Sequence, residues 1–66
     1  MEYTEKNYLE NLIAERRRVT IFFMNGFQLH GVIVGEDINT VFFHANGKAQ
    51  MIYKHAISTV CPEDRL

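Results

Sequence analysis

The spacing of apolar positions changes once along the chain. Tyr8, Leu9, Leu12 and Ile13 recur at helical spacing and fall on one stripe. Thr4, just ahead of them, is placed to cap a first turn, and Glu5 puts a carboxylate where the helix dipole favours one. Together these signals predict a helix over about residues 4–16. From Val19 onward the pattern becomes a series of short runs rich in β-branched and aromatic residues: VTIFFM, FQLHGVIVG, TVFFHA, KAQMIY and AISTV. They predict strands within about residues 19–61.

What lies between the runs fixes how they connect. Asn25-Gly26 and Asn46-Gly47 sit between apolar runs and read as hairpin turns, because both residue types tolerate positive φ. A polar turn covers Glu36 to Asn39, and Tyr53-Lys54-His55 joins the last two runs. Alternation in the second run sets Phe27, Leu29, Gly31 and Ile33 against Gln28, His30, Val32 and Val34. A glycine inside that strand points to a sharp bend or a close backbone approach. The expected fold is mainly β: a helix followed by a strongly bent five-stranded antiparallel sheet, curled into a small, partly open barrel.

Size and composition narrow the picture. With 66 residues, one domain over residues 1–66 is expected, and such a domain is marginal as a monomer. Cys61 is the only cysteine, so no internal disulfide or cysteine-paired zinc site can staple the fold. The remaining source of stability is self-association, which the edges of an open sheet invite. No apolar run reaches bilayer length and no signal peptide is read, so a reduced, cytoplasmic protein is expected. The formal net charge of -1 does not by itself suggest nucleic acid, but positive charge is local, at Arg16 to Arg18, Lys48 and Lys54. A symmetric ring would repeat such clusters around its axis.

The candidate chemistry is that of binding. His30, His44 and His55 lack metal-ligand spacing, and neither a metal nor a cofactor is expected. Asp37, His55 and Ser58 are residue types found in hydrolase triads, yet no nucleophile elbow accompanies them, so an enzyme is not expected. Asp37 reads better as a turn aspartate bonding local backbone N–H groups. Phe22 and Phe23 cannot both face a core, so one of them reads either as a subunit or minor-core contact or as a platform for stacking a base. Arg16 to Arg18 read either as solvated charges at the helix end or as a patch touching RNA.

The helix, NGFQLHG at the first hairpin, Asp37 after the second strand and YKHAISTV near the end together resemble the Hfq family of bacterial RNA chaperones, which is Sm-like. The resemblance covers roughly residues 5–62, and YKHAIST is its most specific part. It implies an Sm-like fold assembled as a homohexameric ring, with single-stranded RNA, small regulatory RNAs and mRNAs, as partner. On the distal face it implies A-rich RNA held by Phe22, Gly26, Phe27, Gln28, Leu29, Gln50 and Thr59, with Phe23 beside them. At the proximal pore it implies U-rich RNA met by Lys54 and His55, with the position of Asn39 alongside. Tyr53 would lie in the subunit contact.

The chain also departs from that family's pattern. Asn39 stands where an aromatic usually stacks on uracil, Ile38 where an amide is usual, and Glu5 where a glutamine is usual. The lateral rim usually has basic residues at Ile13 and Ala14, so Arg16, Arg17 and Arg18 are the candidates to replace them. The expected function is an RNA chaperone that favours A-rich strands, binds U-rich strands weakly and promotes pairing of small RNAs with mRNAs. Its rival is a Sm-like oligomeric scaffold with reduced RNA binding.

Overall fold

The computed structural model describes residues 4–63. The expected domain limits at 1 and 66 lie outside them. Helix α1 (Glu5–Glu15) is followed by strands β1 (Arg18–Phe23), β2 (Gln28–Glu36), β3 (Thr40–Ala45), β4 (Lys48–Tyr53) and β5 (Ile57–Pro62), with a single 3-10 turn, Lys54–Ala56, between the last two. Thr4 caps α1, its hydroxyl accepting from Asn7 N–H at 3.1 Å. The helix stops at Arg16, whose left-handed φ of 52° turns the chain so that Arg17 N–H meets the Leu12 carbonyl at 3.3 Å. Arg18 is already in β1.

The strands form one antiparallel sheet in the order β4-β3-β2-β1-β5. β4 and β5 are neighbours in sequence, yet they are its two free edges. The core lies on one face, where Val19, Ile21, Ile33, Val41 and Phe43 are fully buried beneath Leu9 and Leu12 of α1. Of the adjacent phenylalanines, Phe23 packs against this core. Phe22 points the other way, as strand alternation requires.

The two Asn-Gly pairs make different turns. Asn46 and Gly47 both have positive φ, 54° and 76°, the two-residue hairpin that such a pair favours. In the first hairpin only Gly26 does, at 93°. Phe23 N–H donates to Phe27 O and Gly26 N–H to Phe23 O, which makes a three-residue loop through Met24, Asn25 and Gly26. Asn25 contributes its side chain instead, accepting from Phe27 N–H at 3.0 Å.

Gly31 is a site of close approach. A Cβ there would overlap the carbonyl oxygen of His44 and press on the Phe43 ring at 3.0 Å. The break in strand pairing falls three residues on. Ile33 pairs with Phe43 and Gly35 with Phe42, which leaves Val34 as an extra residue. The expected bend at Gly31 therefore divides in two: Gly31 lets β3 come close, and the bulge at Val34 interrupts the ladder.

Candidate functional site

The side of the sheet turned away from the core carries an ordered set of side chains. Phe22 on β1 faces Gln28 on β2 and Thr59 on β5, so the three form one cross-strand row. Phe27, at the mouth of the hairpin, is 73% exposed. Gly26 holds the loop in its positive-φ geometry and leaves open space where a side chain would begin. This row unites five of the residues expected on the distal face: Phe22, Gly26, Phe27, Gln28 and Thr59.

Three others stand apart. Leu29 is opposite Ile21, on the core face, and packs against the core together with Phe23. Both are therefore supports for the row within one chain. Gln50 is on β4, at the other end of the sheet, and shares the face of its partner Phe43. A single chain does not bring it to Phe22.

The turn after β4 makes a second locus. Lys54 N–H donates to the carbonyl of Asn39 at 2.8 Å, which ties the 3-10 turn to the β2–β3 loop. That loop is shaped by Asp37, whose Oδ1 accepts from Asn39 N–H, Thr40 N–H and the Thr40 hydroxyl at 3.0, 2.8 and 2.6 Å. The Thr40 hydroxyl foremost, with the two backbone N–H groups, holds the Asp37 carboxyl below its ordinary range. Asp37 is thus a turn builder rather than a catalytic group.

Lys54 is not an uncommitted cation. Its Nζ donates to Glu36 at 2.8 Å and pairs with Glu5 of α1 at 2.9 Å, with the Lys54 side chain only 18% exposed. Glu36 first and Glu5 second raise the ammonium pKa above its ordinary value. Within one chain, then, two carboxylates already hold the Lys54 charge. His55 is exposed and stacks on Tyr53, ring centroids 5.6 Å apart and planes 18° from parallel. Tyr53 is itself half exposed on edge strand β4, where a neighbouring chain can reach it. Asn39 is exposed and brings no ring to this locus.

The three arginines take different local positions in the chain. Arg16 caps the helix and lines a shallow groove with Ile13, Val32, Ile33, Val34 and His44. Arg17 N–H closes onto Leu12 O. Arg18 alternates with Thr20 and Phe22 along β1, so it belongs to the outer face of the sheet, where it pairs with Glu63 at 3.5 Å. Glu63 and Glu36 have no local motif to mark them, because their partners are far away in sequence. Among the described residues, no cluster of three or more His, Cys, Asp or Glu can hold a metal, and no helix is long and apolar enough to cross a membrane.

Comparison with known proteins matches this arrangement. Residues 5–66 match the family model described as Hfq protein. The RNA-binding protein Hfq of Geobacillus kaustophilus is 51% identical over 59 residues, spanning 89% of this chain and 79% of that protein. That of Bacillus subtilis is 46% identical over 59 residues, spanning 89% and 81%. A crystal structure of the pleiotropic translational regulator Hfq superposes with a TM-score of 0.85 at 47% identity, covering 86% of this chain and 95% of that one. With the helix, the five-stranded bent sheet and the YKHAIST turn all accounted for, the chain belongs to the Hfq family.

Proposed function

We propose that this protein is an RNA-binding chaperone of the bacterial cytoplasm, working as a homohexameric ring that holds A-rich single strands on its distal face. The observation that carries the reading is the outer-face row of Phe22, Gln28 and Thr59, with Phe27 exposed beside it. A phenylalanine ring flanked by an amide and a hydroxyl offers a stacking surface and polar groups for a base edge, and each stacked base contributes about 1–3 kcal/mol. Gly26 lets the backbone come close to a nucleotide. Gln50 would reach the RNA only from a neighbouring subunit, since a single chain does not bring it to Phe22.

The activity is binding, with no bond made or broken. U-rich RNA meets Lys54 and His55 at the pore only weakly, because Glu5 and Glu36 occupy Lys54 and Asn39 offers no ring. Two RNAs held on one ring raise each other's effective concentration, which promotes pairing of small RNAs with mRNAs. Replacing Phe27 with Ala tests the assignment. Fluorescence anisotropy should report weaker oligo(A) binding, and unchanged affinity would remove Phe27 from the site. Purified protein free of nucleic acid, read from its 260/280 nm absorbance, with no oligonucleotide affinity would favour a Sm-like scaffold instead.

A further inference from the structure

One row along the outer face from Phe22, the side chains converge on a single carboxylate. The Glu63 backbone N–H donates to Arg18 O at 3.0 Å, which extends the β1–β5 ladder and makes the two residues cross-strand neighbours. From there the Glu63 side chain leans across to the next row. Its Oε2 accepts from the Thr20 hydroxyl at 3.2 Å and lies 3.0 Å from His30 Nδ1, while its Oε1 pairs with Arg18 Nε at 3.5 Å. Thr20 and His30 also touch, Oγ1 to Nδ1 at 2.9 Å, so the donors are held relative to one another. The His30 bond first, then Thr20 and Arg18, hold the Glu63 carboxyl below its ordinary range.

A guanidinium, an imidazole N–H and a hydroxyl aimed at two oxygens of one anion form a donor set that suits a phosphate equally well. Thr20 is nearly buried and fixed in the sheet, whereas the Arg18 and His30 side chains are 58% and 55% exposed and open to an incoming ligand. The row lies two strand residues from Phe22, about 7 Å, which is within reach of the backbone of a nucleotide stacked there.

We propose that Arg18, Thr20 and His30 form a phosphodiester-binding site on the outer face, and that Glu63 is a built-in anionic competitor occupying it in the absence of RNA. The ligand rests on the distal-face reading above; the anion site itself does not. RNA binding displaces the Glu63 carboxylate and gives its donors to a backbone phosphate. Glu63 thereby lowers affinity for any strand too weakly stacked to displace it.

The test uses the full chain with two probes, inorganic phosphate and oligo(A), and the variants Glu63→Gln, Glu63→Gln with Arg18→Ala, and Glu15→Gln. Glu15 is exposed at the end of α1, so its variant removes an equal charge elsewhere. Phosphate titrations followed by NMR on the His30 ring should saturate roughly ten-fold earlier in Glu63→Gln than in wild type. The gain should vanish when Arg18→Ala is added and be absent in Glu15→Gln. Oligo(A) should bind Glu63→Gln more tightly than wild type at matched salt, because no carboxylate has to be displaced first. Equal phosphate saturation in wild type and Glu63→Gln would overturn the site, as would an equal gain in Glu15→Gln. Earlier phosphate saturation with no oligo(A) binding by any of these proteins would uphold the anion site and overturn the RNA reading instead.

Discussion

The outer-face row and the Lys54 turn are both built from polar groups near aromatic residues, yet they spend those groups differently. At the Lys54 turn the cation lies between Glu36 and Glu5, and one oxygen of the loop aspartate accepts from Asn39 N–H, Thr40 N–H and the Thr40 hydroxyl. Charge there is consumed by the fold. In the row of Phe22, Gln28 and Thr59, neither Gln28 nor Phe27 is buried, and the core is served by Leu29 and Phe23 behind them. The comparison teaches that the type of a residue does not make a site. A lysine in a family motif can be held by the fold's own carboxylates, while alternation can displace a phenylalanine onto the outer face.

The largest expected effect comes from removing the row's central ring. Phe22→Ala should weaken oligo(A) by about 1–3 kcal/mol, roughly 5- to 150-fold in Kd, while leaving oligo(U) nearly unchanged. Parallel losses for both oligonucleotides would erase the contrast between the two regions. The reverse experiment rebuilds the weaker locus. Asn39→Tyr combined with Glu5→Gln supplies a ring and frees one arm of Lys54, so oligo(U) affinity should rise by about 1–2 kcal/mol. No gain in a protein that still melts cooperatively would show that something else limits the pore.

A smaller effect is expected on stability. Glu36→Gln removes one charge partner of Lys54 and should cost about 0.2–1 kcal/mol in a urea melt at neutral pH, shrinking in high salt. The smallest effects concern pH. Asp37 and Glu63 have depressed folded pKa values, so their contributions are full above the ordinary 3.8 and 4.5 and disappear as pH falls through the lower folded values. The raised pKa of Lys54 acts oppositely: its contribution is full below 10.5 and is lost as pH rises through the higher folded value. Asp37→Asn should therefore narrow the gap in melting temperature between pH 7 and pH 3 without altering the alkaline side. An unchanged gap would mean that Asp37 shapes the loop without stabilising it.

The sequence made much of this legible where the physics is local. The Thr4 cap, the apolar stripe ending in Leu12 and the alternation that separates Phe22 from Phe23 all follow from neighbours a few residues apart. Asn46-Gly47 formed the turn its residue types favour. Asn25-Gly26 did not, because a three-residue loop needs positive φ only at its last position and leaves Asn25 to accept a hydrogen bond. The remaining differences are long-range. Lys54 meets Glu5 from the other end of the sequence, and Glu63 reaches Thr20 and His30 only because β5 pairs with β1. Arg16 to Arg18 are consecutive, but Arg16 ends the helix and Arg18 opens β1, a change of element that the run of charge does not mark.

The central claim is that the row around Phe22 governs RNA preference while the Lys54 locus contributes little. Anisotropy titrations of equal-length oligo(A) and oligo(U), at the same salt concentration and with the intact protein, test it most directly. The account predicts tighter binding of oligo(A); equal affinities, or a preference for oligo(U), would contradict it.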